Sequence, residues 1–155
     1  MKKKVEALRN EAYHAWSAAQ HLHEVTYHIL QEPRLLMAVM QNLHQAWING
    51  MDVLWYDAQV KAGVTQLSEE KQIRLFEKKF AKKYRIDANM LNTMKEIRAI
   101  IQQHKGSALE FTRHGRVVIC DDAYNLEIVD KERTQRYVQE TKRFVDCLYE
   151  VKADV

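Results

Sequence analysis

Three groups of side chains in this 155-residue sequence have the types and spacing for chemistry. The first is a histidine series: His14, His21 and His28 repeat every seven residues, and Glu11 stands three before His14. On a helix, Glu-x-x-His puts a carboxylate and an imidazole on one face, the spacing used in di-iron bundles. Such a centre needs a second Glu-x-x-His on another helix, and the sequence holds none. The series therefore reads as a polar face or a subunit interface, and no metal or other cofactor is expected. The second group is basic. Between Ser68 and Arg85 stand Lys71, Arg74, Lys78, Lys79, Lys82, Lys83 and Arg85 against Glu69, Glu70 and Glu77, a local charge of +4. Helical spacing gathers Lys71, Lys78 and Lys82, which could follow a phosphate backbone with Phe80 and Tyr84 as aromatic neighbours. The alternative is a solvated helix face with Phe80 in the core.

The third group is Arg98-Ala99-Ile100-Ile101-Gln102-Gln103-His104. A guanidinium is a permanently charged fork that holds a phosphate, and an imidazole takes and returns a proton near neutral pH. Together they could cleave RNA without a metal. The 2′-hydroxyl would be activated for attack on the adjacent phosphorus, with the guanidinium stabilising the developing charge. In an ideal helix a six-residue separation points the two side chains about 120° apart. Convergence then requires the helix to loosen before Gly106, or a second subunit to complete the site. The structural alternative is an ion-pairing arginine and a helix-end histidine favoured by the macrodipole.

What must position these residues follows from composition. The chain has 4 Gly and 1 Pro, so few turns are available to it. Sandwiches, barrels and doubly wound α/β folds need a turn every few residues or a glycine-rich loop, and they are excluded. One helical domain spanning 1–155 remains. The net charge of +3 permits nucleic acid as a partner without requiring it. Residues 121–155 carry nine acidic and six basic side chains, so the positive charge is concentrated elsewhere. Cys120 and Cys147 fit neither a disulfide framework nor a zinc spacing and read as free thiols in a reducing cytoplasm. No apolar run is long enough to span a membrane, and a cytoplasmic location is expected.

The fold expected is all-α, an antiparallel bundle of about five helices that opens on a long helical hairpin. Val5, Leu8, Ala12, Ala15, Ala19, Leu22, Thr26 and Ile29 recur at steps of three and four, widened by Trp16 and Leu30, and predict one helix from Lys2 to about Gln31. Pro33 opens a second, with Leu36, Met40, Leu43, Trp47 and Leu54 inward, running to about Ala62 with Gly63 as its stop. Gly50 inside it costs roughly 1 kcal/mol unless it permits close packing. Ser68 caps a third helix through Ile73, Phe76, Phe80 and Ala81. Asp87 caps a fourth, with Met90, Met94, Ile97 and Ile101 inward, ending near Gly106. A β-hairpin insertion follows at about 108–121, with Leu109 to Thr112 and Val117 to Cys120 flanking a turn at Gly115. Asp122 to Val129 reads as loop. Asp130 caps the last helix, whose inner stripe is Tyr137, Thr141, Phe144, Leu148 and Val151.

A long helical hairpin, two further helices and an arginine-to-histidine spacing of this kind near the end of the fourth resemble the HEPN superfamily. The stretch from His104 to Phe111, with the strand and final helix after it, is similar to small archaeal proteins of that type. The resemblance implies a homodimer whose fourth helices line a shared cleft. In active members it also implies metal-independent endoribonuclease activity. It assigns phosphate binding to Arg98 and acid/base catalysis to His104. Active members usually carry a polar residue after the arginine, where this chain has Ala99, and many members only bind or assemble. A further Arg-x4-His, Arg9 to His14, lies in the first helix, outside the place of the family motif. RNA contacts are expected from Lys78, Lys79, Lys82, Lys83 and Lys105, and from Arg113 and Arg116 at the hairpin tip. The alternative for the hairpin is a cover for the bundle's end or a contact with the partner subunit. A non-catalytic protein-interaction module is the competing class.

Overall fold

Apolar residues at steps of three and four make the N-terminal part of the chain a single rod. A computed structural model describes residues 2–107 and 109–151. Helix α1 (Lys2–His21) buries Val5, Leu8, Ala12, Trp16 and Ala19. It continues through a π-helical turn at Leu22–Thr26 into α2 (Tyr27–Leu30). The wider turn rotates the face that follows it. His23 and Tyr27 move inward as a result, while Ile29, expected in the inner stripe, is 72% exposed. His23 Nε2 lies 3.2 Å from the Lys131 carbonyl oxygen, which can only accept, so this nitrogen carries the proton.

After Pro33, α3 (Arg34–Asp57) folds back along α1. It ends at Asp57, short of the expected Ala62, and Gly63 lies inside a separate turn, α4 (Lys61–Val64). The stop is Gln59, held at φ 60. The Val60 N–H donates to the Trp55 carbonyl at 3.1 Å and the Gln59 N–H to that of Tyr56 at 3.0 Å, the paired bonds of a Schellman end. Arg85, at φ 57, closes the next helical segment in the same way, with Ile86 N–H donating to Ala81 O at 2.8 Å. Gln31, His114 and Tyr124 also take positive φ. The chain thus places ordinary residues in left-handed turns that glycine usually occupies, which is how it folds with only 4 Gly.

Side-chain caps set the remaining helix starts where the sequence places them. Ser68 accepts from the Lys71 N–H ahead of α5 (Glu69–Phe76), which passes into a π-helical turn at Glu77–Ala81. Asp87 accepts from Met90 N–H at 3.0 Å to open α6 (Ala88–Gly106), and Asp130 accepts from Arg133 N–H at 2.8 Å to open α7 (Lys131–Cys147). The α7 stripe of Tyr137, Thr141 and Phe144 is buried, as are Leu148 and Val151 beyond it. Phe144 stacks on Trp47 with ring centroids 3.8 Å apart, and Trp47 Nε1–H donates to Thr141 Oγ1 at 3.0 Å. Trp16 Nε1–H donates to the Val138 carbonyl at 3.0 Å. These contacts tie α7 to both helices of the hairpin.

The insertion is larger than a hairpin. β1 (Leu109–Arg113) and β2 (Arg116–Cys120) pair antiparallel across His114 and Gly115, both at positive φ. Ala108, at the foot of the expected hairpin, lies outside the described residues. The expected loop Asp122 to Val129 contains a third strand, β3 (Leu126–Val129), which pairs antiparallel with β2 and sets Ile128 opposite Val118. Four residues are too few to read as a strand alone. What makes them one is the unused edge of β2 and the Asp121 carboxylate, which accepts from Ala123 N–H at 2.9 Å and Asn125 N–H at 2.8 Å to close the turn. Val117, Ile119 and Val129 face the helices and are fully buried. The fold is mainly helical, with this three-stranded sheet before the last helix. Among the described residues no helix is long and apolar enough to cross a membrane.

Candidate functional site

Helix α6 carries both residues of the Arg98–His104 pair, and it stays helical through Gly106. The loosening that could have brought His104 round to Arg98 does not occur. The two side chains open onto different clefts.

Arg98 lines an open cleft of about 250 Å³ between α3, α6 and the start of α5. Its floor includes Trp47, Trp55, Met94 and Ile101. The guanidinium pairs with Glu69, the first residue of α5, and Gln102 Nε2–H donates to the same carboxylate at 3.0 Å. Burial is unequal across this pair: the Arg98 side chain is 18% exposed and that of Glu69 66%. The carboxylate is thus the solvent-side partner, lying where an incoming anion would meet the guanidinium. Lys61 and Asp52 form a second pair in the cleft at 2.6 Å. Lys105 also lines it, with no ion pair among the described residues.

His44, on α3, joins this group and was not anticipated from sequence. Burial lowers its pKa from the ordinary 6.5; the positive charges of Lys105 and Arg98 lower it further, and Glu69 opposes them. The imidazole is therefore neutral at pH 7 and able to accept a proton. The unfolded chain takes up this proton first as pH falls through 6.5, so His44 subtracts stability on the acid side and nothing above it. Its sequence position, one residue after Leu43 and three before Trp47, marks the flank of the α3 stripe. That spacing was the available signal, but the cleft partners lie on a distant segment.

His104 faces a second cleft of about 430 Å³ with Arg34, Gln41, Thr112 and Phe111. Its Nδ1–H donates to Glu110 Oε1 on β1 at 2.5 Å. This contact ties the end of α6 to the sheet.

The other sequence candidates lie apart from both clefts. Lys78, Lys79, Lys82 and Lys83 are exposed, but Phe80 and Tyr84 are buried in the core and offer no stacking face. Arg113 and Arg116 face each other across the β1–β2 register. His14, His21 and His28 are exposed, and among the described residues no group of three His, Cys, Asp or Glu side chains could hold a metal. Arg9 donates to the Val151 carbonyl at 3.0 Å, a contact that ties α1 to the end of the last helix. Cys120 and Cys147 are free thiols. No protein-family model, no curated protein and no solved structure matches the chain.

Proposed function

We propose that the chain is an HEPN-like RNA-binding bundle, acting as a homodimer, and that the α3–α6 cleft receives a phosphodiester and cleaves it without a metal. The supporting observation is a neutral imidazole, His44, that lines the same open cleft as two cations, Arg98 and Lys105, whose charges act on it. An RNA phosphate would displace Glu69 from Arg98, which then holds the non-bridging oxygens. His44 would remove the 2′-hydroxyl proton as that oxygen attacks phosphorus. The 5′-oxygen departs and takes a proton from Lys105 or solvent, leaving a 2′,3′-cyclic phosphate and a 5′-hydroxyl. His104 belongs to the other cleft of the same chain, so a role for it in this reaction requires a second copy. The exposed lysines 78, 79, 82 and 83 would hold flanking phosphates.

Single-stranded RNA incubated with the protein in excess chelator tests this reading. Cleavage to cyclic-phosphate ends is expected, lost at least 100-fold in His44→Ala and retained in His104→Ala, with unchanged circular dichroism. The reverse pattern would move proton transfer to His104 across a dimer. Uncleaved RNA would instead favour the non-catalytic interaction module.

A further inference from the structure

The alternation of an antiparallel sheet sorts its side chains into two faces. Val117, Ile119 and Val129 turn to the helices. The opposite face carries three registered rows: Leu109, Cys120 and Leu126; Phe111, Val118 and Ile128; and Arg113 with Arg116. In the first two rows the central residues are buried by their neighbours, but Leu109 is 55% exposed, Leu126 60%, and Phe111 and Ile128 39% each. At about 200 Å² for a fully exposed large residue, these four present roughly 400 Å² of contiguous apolar surface. A patch of that size on a single chain usually marks an interaction site. It is about half of the roughly 800 Å² that each partner buries in a standard interface, enough for the dry centre with a polar rim.

The rim identifies the occupant. One end of the face is positive, with Arg113 and Arg116 beside the exposed His114. The other end, at the β2–β3 turn, is negative, with Asp121 and Asp122. A face that is apolar in the middle and opposite in sign at its two ends is complementary to itself when turned round.

We propose that this sheet face is a homodimer interface, packing against the same face of a second copy in the antiparallel sense. The two-fold axis lies between the sheets and crosses the strands level with Ile119. It sets the row of Phe111, Val118 and Ile128 over the partner's row of Leu109, Cys120 and Leu126. Arg116 then meets Asp122 of the partner subunit, and the reverse contact follows by symmetry. Arg113 and Arg116 serve the dimer in this arrangement, not an RNA clamp. The inference names the surface for the dimeric part of the functional reading and is independent of cleavage.

Sedimentation velocity over a wide range of protein concentration tests it. The native chain should be a dimer, and Phe111→Asp combined with Leu126→Asp should weaken association at least 100-fold without changing the circular dichroism. Arg116→Asp should weaken it at least tenfold, and adding Asp122→Arg to the same chain should restore it. Six strand residues separate the two positions by about 20 Å within one chain, so rescue can arise only between chains. A monomeric native chain, or a dimer insensitive to the patch and charge changes, would overturn the proposal. A monomer that still cleaves RNA would overturn it while leaving the cleft chemistry intact.

Discussion

Arg98→Ala should reduce RNA cleavage by at least 100-fold, the scale on which removal of one positioned donor to a transition-state oxygen acts. The guanidinium is the more buried member of its pair, while its partner Glu69 faces solvent. Its charge is therefore fixed in place, and the carboxylate on it is exchangeable. Removing it leaves Lys105 to bind phosphate as a point charge without a fork, so affinity should fall along with rate. Arg98→Lys should be intermediate in both. Glu69→Gln should do the opposite to affinity and tighten RNA binding, because the guanidinium no longer has a competing anion. The pair is partly exposed, so the fold should lose no more than about 1 kcal/mol in any of these variants. Cleavage by Arg98→Ala at the native rate would remove Arg98 from the reaction.

Gly50→Ala should destabilise the protein by about 2 kcal/mol, a loss of roughly 6 °C in Tm for a chain of this size. A Cβ at position 50 would lie 2.4 Å from Phe144 Cε2, 2.9 Å from its Cζ and 3.1 Å from Leu148 Cδ1. The ring cannot yield cheaply. It is stacked on Trp47 at 3.8 Å and meets Phe76 edge-on at 6.2 Å, and all three rings are fully buried. Overpacking of this kind outweighs the gain of about 1 kcal/mol that alanine brings to a helix interior. Phe144→Leu in the same chain should recover part of the loss, since the two changes share one space. A more stable Gly50→Ala variant would show that α3 and α7 do not approach through Gly50. Because Trp47 also forms part of the cleft floor, this contact links the core to the site.

Local chemistry in the sequence accounted for the parts of the fold that local chemistry determines. Ser68, Asp87 and Asp130 are short polar residues ahead of helical stripes, and each caps its helix. Gly115 turns the hairpin, and Gly50 is the close-packed glycine that its interior position suggested. The differences arise where tertiary context overrides local preference. Gln59 and Arg85 take left-handed conformations that no propensity assigns to them, because the Schellman bonds of the helix ends hold them there. The π-helical turn at Leu22–Thr26 moves His23 inward and Ile29 outward, which a fixed 3.6-residue period cannot anticipate. β3 exists because β2 offers an edge. The candidate cleft was partly legible: the sequence singles out Arg98 and Lys105, which line it, but His44 comes from α3, and only folding brings it to the same cleft. The nearer histidine, His104, is turned away by the regularity of the same helix that suggested it.

The most direct measurement is a pH titration of the His44 imidazole by NMR in excess chelator, with and without an RNA blocked at its 2′-hydroxyls. In the free protein His44 should titrate below 6.5, since burial, Lys105 and Arg98 all disfavour its charged form. With RNA bound, the phosphate brought beside it should raise that pKa, and the rise should vanish in Arg98→Ala. An RNA that binds the protein while leaving the His44 titration unmoved would contradict phosphate binding in the α3–α6 cleft.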